Sequence, residues 1–141
     1  MKMLNLKSLI RPIRLPFNIP GYNGLAGTWP LPPLVSKSAA PRVEGNEMVH
    51  WWAFTEIAIA LSPFFLCLSY WLNDYRSMIL NIFAPHTVYL VLFLYQRTKR
   101  DKWFLAYFHH PMEIASRKYE LELDQRPYFA WLLIILGKES W

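Results

Sequence analysis

Two apolar runs joined by a short polar link constrain the fold of this chain more than any other feature. No charged residue occurs in residues 57–73 or 77–96, and the link between them holds one acid, Asp74, and one base, Arg76. Because a helix rises about 1.5 Å per residue, about 20 residues cross the hydrocarbon core of a bilayer. A surface helix of a soluble bundle would carry a polar face, and neither run has one. The sequence therefore predicts an all-α membrane protein, a two-span transmembrane helical hairpin with helices over about 50–72 and 77–96.

The residues before the hairpin (49–96) are predicted to form a basic, proline-rich arm over 1–48. Residues 1–43 carry six bases, no acid and seven of the eleven prolines. Proline fixes φ and lacks a hydrogen-bond donor, so this segment cannot form a long helix. Its first residues alternate bases with apolar side chains, roughly as mitochondrial targeting segments do. Two interpretations stay open for the arm, an extended segment laid over a partner and a disordered tail.

The aromatic side chains are distributed as in a membrane protein. Tryptophan and tyrosine favour the membrane–water interface. Aromatic residues cluster at the ends of both predicted helices, at Trp51, Trp52, Phe54, Tyr70, Trp71, Tyr75, Tyr95 and Trp103. The net charge of +5 comes with no nucleic-acid-binding motif, because the bases flank apolar runs. The expected partner is therefore a lipid bilayer and not a nucleic acid, and the single cysteine, Cys67, excludes an internal disulfide.

A few polar residues fall inside the predicted spans. An ionised Glu56 there would cost several kcal/mol on insertion scales, so it reaches the surface, is protonated or meets a partner. Pro63 and Pro85 each free a carbonyl one turn earlier, and Asn81 and His86 are placed to satisfy these groups. A hydrogen bond within the hairpin is expected for His86 in preference to a metal or haem.

Residues 97–141 are predicted to be a peripheral region of interfacial and amphipathic helices. Four bases within 97–102 end the second span. The segment 103–111, which is rich in aromatic residues, is too short to cross a bilayer and should lie in its interface. Residues 112–126 alternate charges of both signs, which indicates a solvated helix. The apolar run 128–137 is expected to be reentrant, interfacial or buried by a partner.

The adjacent histidines His109 and His110 invite a metal interpretation, which the spacing disfavours. Neighbouring side chains on a helix point about 100° apart, and no second ligand pair is spaced to share an ion. We expect a surface role for both. There is also no nucleophile–base pair and no glycine-rich phosphate loop. No catalytic and no metal-binding residue is predicted, and a structural subunit is expected in place of an enzyme.

The basic flanks predict the orientation of the hairpin. Bases are concentrated before the first run and directly after the second, whereas the link between the two runs is neutral. The positive-inside rule then places both termini on the matrix or cytoplasmic side and the Asp74-Tyr75 link on the opposite side.

One stretch carries a family resemblance. His50-Trp51-Trp52-Ala53, followed by Ala58-Ile59-Ala60-Leu61-Ser62-Pro63, resembles the start of the first membrane helix in the small membrane anchor subunit of succinate dehydrogenase. Asp74-Tyr75 followed by Pro85 is similar to that family's turn into its second helix, and the resemblance covers about residues 46–95.

The resemblance implies a non-catalytic membrane anchor subunit of succinate:ubiquinone oxidoreductase, respiratory complex II. That complex belongs to the respiratory electron transport chain and the tricarboxylic acid cycle in the mitochondrial inner membrane. The implied partners are its iron–sulfur subunit and a second anchor subunit. The implied cofactors are ubiquinone, with or without haem b, at the subunit interface.

The chain departs from this family at its functional positions. Phe54 and Thr55 stand where the family has Gln-Arg, and Asp101 stands where it has a haem-ligating histidine. The family's Asp-Tyr pair at the quinone falls on Met112 and Glu113. No cofactor bound covalently or by iron ligation is therefore expected on this chain. What the resemblance carries over is a cofactor-binding position near the quinone or the haem propionates, for His50, Trp51 and Trp52.

A second resemblance gives the alternative. The aromatic run 103–111, which closes in His-Pro, resembles the segment after the hairpin in a small two-span accessory subunit of respiratory complex I. The alternative function is therefore an accessory subunit of complex I or of another inner-membrane respiratory complex.

Overall fold

The computed structural model describes residues 10–20, 24–25 and 28–139, which are mostly helical. In these described residues the α-helices are α1 (Pro41–Leu72), α2 (Leu80–Thr98), α3 (Trp103–Phe108), α4 (Pro111–Tyr119) and α5 (Ala130–Ile135). Over the same described residues, 3₁₀ helices cover Tyr75–Ile79 and Leu123–Gln125, and short strands are β1 (Ile13–Arg14), β2 (Gly24–Leu25) and β3 (Leu34–Val35). The helices over Pro41–Leu72 and Tyr75–Thr98 are long and apolar enough to cross a membrane.

Helix α1 begins about nine residues before the predicted start, so the last part of the predicted arm is helical. Pro41 takes the first helical position, where its missing N–H is not needed. The extra turns are held by tertiary packing, because Met48 and Val49 on them are buried. The helix ends at Asn73, whose left-handed backbone (φ 49°) lets its N–H cap the last turn.

The two long helices form an antiparallel hairpin. Asp74 starts the 3₁₀ turn by accepting a hydrogen bond from the backbone N–H of Arg76 at 2.9 Å. Near that turn the hydroxyls of Ser69 and Ser77 share a hydrogen bond. At the far end the rings of Phe54 and Tyr89 lie 6.2 Å apart. Residues early in α1 thus lie beside residues late in α2, as the hairpin prediction requires.

Asn81 joins the two helices close to the proline in α1. Its amide donates to the carbonyl of Ala58 at 3.1 Å and to the hydroxyl of Ser62 at 3.1 Å. Ala58 directly precedes Ile59, whose carbonyl Pro63 leaves without its helical donor. Asn81 therefore links the two helices through the Ala58 carbonyl, one residue before the Ile59 carbonyl that Pro63 frees. His86 packs its ring against that of Phe54, with centroids 4.9 Å apart.

Helix α4 lies along the first turns of α1, and the prediction of a solvated helix over 112–126 is wrong. Most of its side chains are buried, namely those of Pro111, Met112, Glu113, Ile114, Ala115, Ser116 and Tyr119. Three of the charged residues that suggested solvation, Glu113, Glu120 and Arg126, pair with α1. An antiparallel row of polar contacts, the α1–α4 polar stripe, joins Arg42 to Glu120, Asn46 to Ser116 and His50 to Glu113.

Helix α5 occupies six residues of the predicted apolar run 128–137. Ala130 is fully buried against Val49, Ala115 and Tyr119. The far side of the helix, with Leu132, Ile135 and Leu136, is exposed. The run is therefore covered on one side by the chain itself.

The described residues of the arm before Pro41 are extended, which agrees with one of the two interpretations, and they lie on the chain's own helix α1. Its strands form a small sheet in the order β1-β3-β2, with β1 parallel and β2 antiparallel to β3. The indole N–H of Trp29 donates to the Thr55 hydroxyl at 3.0 Å, and that of Trp51 donates to the Leu31 carbonyl at 2.8 Å. This sheet is a departure from the all-α prediction, and the prolines of the arm explain it, because they favour extended backbone.

The molecule divides into a head and an apolar band. The head comprises the described residues of the arm, residues 41–58 of α1 and residues 103–139. The apolar band is the set of exposed large side chains on the rest of the hairpin: Ile59, Phe64, Leu66, Tyr70, Trp71, Leu72, Tyr75, Ile79, Leu80, Ile82, Phe83, Leu90, Val91, Leu94 and Tyr95. Tyr70 (91% exposed) and Trp71 (80%) project from the turn. Trp51, Trp52 and Phe54 are buried in the head, so they do not form the predicted aromatic belt.

Gly45 allows α1 to approach the end of α4. A Cβ at this position would overlap the backbone carbonyl of Glu120, which cannot move without shifting the helix. We expect Gly45→Ala to destabilise the head by about 1–3 kcal/mol, the usual cost of overpacking. Thermal unfolding followed by tryptophan fluorescence would measure this, with Ala60→Ser on the exposed face of α1 as the control. An unchanged melting temperature for Gly45→Ala would contradict the close approach.

Candidate functional site

The candidate site is the polar interior of the head, where four helices meet. We call its main part the Glu113 cluster, which consists of Glu113 and His110 from the α4 start, His50 from α1, Tyr89 from α2 and Tyr107 from α3. Its centre is the carboxylate of Glu113, which is 3% exposed. A buried carboxylate needs hydrogen-bond donors around it.

Three side chains surround that carboxylate. The Tyr89 hydroxyl donates to Oε1 of Glu113 at 2.7 Å. Nε2 of His50 lies 3.3 Å from the same oxygen, as an ion pair when the ring is protonated. Tyr107 also donates a hydrogen bond to Glu113. The carboxylate thus connects α1, α2 and α3 to the first turn of α4.

The cluster favours the ionised form of Glu113. Burial by itself would raise the pKa of this carboxyl group, but the charge of His50 and the hydrogen bonds from three neighbouring side chains outweigh it, and the pKa falls to about 2. Burial and the Glu113 charge raise the pKa of Tyr107, so its hydroxyl keeps the proton that it donates. The arrangement therefore holds a carboxylate with protonated donors around it.

His110 is fully buried, so the surface role predicted for it is wrong. The backbone N–H of Met112 donates to its Nδ1 at 3.2 Å, which makes Nδ1 the unprotonated nitrogen. Nε2 then carries the proton and donates to the Tyr89 carbonyl at 3.0 Å. The imidazole also stacks on the Tyr89 ring with centroids 4.1 Å apart, and burial lowers the pKa of His110. Both nitrogens of this neutral ring are engaged in capping α4 and joining it to α2.

A second buried ion pair accommodates Glu56, the acid inside the predicted first span. Its two carboxylate oxygens accept from Nη1 and Nη2 of Arg126 at 2.6 and 2.8 Å, a bidentate geometry. The backbone N–H of Phe129 also donates to Glu56, at 2.9 Å. Glu56 was predicted to reach the surface, to be protonated or to meet a partner, and in the structure it meets a partner. The contact closes the C-terminal region onto α1 and fixes Phe129, whose backbone is left-handed (φ 55°).

The three predicted cofactor-binding residues lie together on α1 inside the head. His50, Trp51 and Trp52 are 8%, 7% and 9% exposed. Nε2 of His50 faces Glu113, and the Trp51 indole donates to the arm. The Trp52 indole N–H has no hydrogen-bond partner among the described residues. Their role toward a quinone or haem propionate stays a prediction.

Within the described part of the chain, no group of three or more His, Cys, Asp or Glu side chains is placed to hold a metal ion. A cavity of about 780 Å³ lies between the arm and the 3₁₀ helix over Leu123–Gln125. Acidic and basic side chains both line it, at Arg11, Arg14, Glu44, Glu122 and Asp124. This mixture of charges does not select a class of ligand.

Sequence reasoning missed Glu113, Tyr89 and Arg126 as members of the site. A signal for Glu113 was present, because Glu113, Ser116 and Glu120 share one face of a helix, as Arg42, Asn46 and His50 do. Arg126 gave no such signal, since 70 residues separate it from Glu56.

Comparison with protein-family models, with curated proteins and with solved structures found no match to this chain.

Proposed function

We propose that this chain is a non-catalytic membrane anchor subunit of a respiratory complex in the mitochondrial inner membrane, with succinate:ubiquinone oxidoreductase as the first candidate. The observation that carries the proposal is the apolar band, a run of exposed large apolar side chains along both long helices. Ionic contacts gather in the head, whereas both long helices leave large apolar side chains uncovered.

Exposed apolar surface on this scale favours a lipid environment. Monomeric soluble proteins rarely expose a contiguous apolar patch larger than a few hundred Å². Helix α1 has 32 residues, about 48 Å, so it exceeds a hydrocarbon core of about 30 Å and its first turns extend into the head. The head would then lie at one membrane surface and the Asp74 turn at the other.

The topology follows from this arrangement and can be measured. The arm and the C-terminal region both pack on residues 41–58, so the two ends of the described chain lie on the head side. We expect tags at the two ends to be digested together by protease in inside-out vesicles, and a tag inserted after Tyr75 to be protected. Digestion of only one terminal tag would refute the hairpin topology.

The assignment to complex II rests on the resemblance that begins at His50. Such a subunit would hold the flavin and iron–sulfur subunits at the membrane and form part of the wall of the ubiquinone pocket, beside a second anchor subunit and any haem b. In the isolated chain His50 is bound by Glu113. A quinone or propionate at His50 would therefore share the imidazole with that carboxylate.

Copurification tests the assignment. A tagged chain extracted in mild detergent is expected to bring down succinate:ubiquinone reductase activity together with flavin. Recovery with NADH:ubiquinone reductase activity would instead favour the alternative, a small accessory subunit of complex I, to which the run ending in His110-Pro111 is similar. Recovery of neither activity would refute both assignments and leave the membrane topology to be judged by the protease experiment.

A further inference from the structure

A second cavity lies on the side of the head that adjoins the apolar band. Its volume is about 330 Å³, and it opens where the end of α2 meets α4 and α5. Its apolar part consists of Leu92, Pro111, Ile114, Ile134 and Ile135, and its polar part of Tyr95, Gln96, Lys99, Arg100 and His109. Cavities that bind small molecules commonly start at about 300 Å³ and combine apolar walls with a few polar groups.

The polar part of this cavity is positively charged. Lys99 and Arg100 line it, and none of its lining residues is an acid. The Nε atom of Arg100 is buried without a hydrogen-bond partner among the described residues. Such an orphaned donor on a cationic group is costly unless an anion or another acceptor meets it. The Lys99 ammonium lies 4.4 Å from the centre of the ring of Tyr95, which also lines the cavity.

The pKa of His109, which lines the same cavity, is shifted in part by positive charge. Burial and the positive charges of Arg100 and Arg117 lower the pKa of its imidazole. A neutral imidazole can donate one hydrogen bond to an anion without adding to the repulsion between the bases.

The cavity is also continuous with the apolar band. Val91, Leu94 and Tyr95, on the same last turns of α2, are exposed. A ligand seated at Lys99 and Arg100 would therefore have apolar protein surface on the side toward Leu92 and the band. An inorganic anion would leave that apolar surface unused.

We propose that this cavity binds an anionic phospholipid, with its phosphate at Arg100 and Lys99 and its first acyl carbons against Leu92 and Ile134. The inference rests on the proposed membrane location. Basic cavities beside membrane-spanning helices suit anionic headgroups, because phosphate pairs with guanidinium and ammonium groups while the chains stay in hydrocarbon.

Native mass spectrometry of the purified full chain in mixed micelles tests the proposal. Phosphatidylglycerol is the anionic probe and phosphatidylcholine is the zwitterionic comparison. We expect preferential binding of phosphatidylglycerol, and a loss of roughly thirtyfold in its affinity when Lys99→Gln and Arg100→Gln are combined. Arg100→Lys, which keeps the charge, should retain most of the affinity.

The matched control removes the same charge from the same segment. Arg97→Gln combined with Lys102→Gln deletes two bases that do not line the cavity. It should change the affinity by less than about threefold, a contribution from the diffuse field alone. An equal loss in both double variants, or equal affinity for the two lipids, would overturn the proposal, as would full displacement of phosphatidylglycerol by millimolar inorganic phosphate.

The experiment separates this inference from the membrane proposal. A chain that is soluble and monodisperse without detergent would refute the membrane location itself. A chain that inserts with the expected topology but shows no lipid preference would refute only the lipid site.

Discussion

Replacing Arg126 by methionine is expected to destabilise the folded protein by about 3–5 kcal/mol, because it leaves the carboxylate of Glu56 buried without its cation. Glu56 is 4% exposed and Arg126 is 1% exposed. The lost contacts are the two bonds at 2.6 and 2.8 Å. The loss would be measured by thermal or SDS-induced unfolding in detergent micelles, with near-ultraviolet circular dichroism as the readout.

Two further variants test whether the unpaired buried charge causes the loss of stability in Arg126→Met. Adding Glu56→Gln to Arg126→Met removes the unpaired charge and keeps an oxygen for the Phe129 N–H, so the double variant should recover about half of the loss or more. Arg76→Met breaks the exposed pair with Asp74 and should cost less than about 1 kcal/mol. If Arg126→Met and Arg76→Met cost the same, the buried pair does not form as described.

Sequence patterns predicted the hairpin because its signal is local. The two charge-free runs, their lengths and the Asp74 link depend only on neighbouring residues, and the structure has two helices of sufficient length and apolarity there. The left-handed Asn73 and the Asp74 cap have side chains typical of such positions.

The head could not be predicted in the same way, because residues distant in sequence stabilise it. Residues 41–49 contain Gly45 and several polar side chains, which indicate a loop when taken alone. They are helical because α4, about 70 residues later, packs against them through the α1–α4 polar stripe. The periodicity of Arg42, Asn46 and His50 was visible, but its partner face could be recognised only from the fold.

The buried histidine was missed for a related reason. His109 and His110 were considered as a pair, whereas their environments differ. His110 directly precedes Pro111, and this placement at a helix start lets its Nδ1 cap the N–H of Met112. Pro111 at the first helical position was the available signal.

Acidification is expected to weaken the head through Glu113. Its pKa is about 2 in the folded protein, below the ordinary value of 4.5. A depressed pKa means that the carboxylate contributes stability above about pH 4.5 and that this contribution is lost as the pH falls from about 4.5 toward 2. The shift corresponds to roughly 3 kcal/mol at neutral pH.

Glu113→Gln tests this linkage, since glutamine keeps an oxygen for the tyrosine hydroxyls but cannot ionise. We expect the variant to be less stable by about 2–3 kcal/mol at pH 7 and to lose most of the difference from the parent by about pH 2. Unfolding in micelles at a series of pH values, followed by tryptophan fluorescence, would show the two curves converging. Glu122→Gln, an exposed acid on the same C-terminal region, should follow the parent curve. A constant gap between Glu113→Gln and the parent across this pH range would mean that the carboxylate charge does not hold the four helices together.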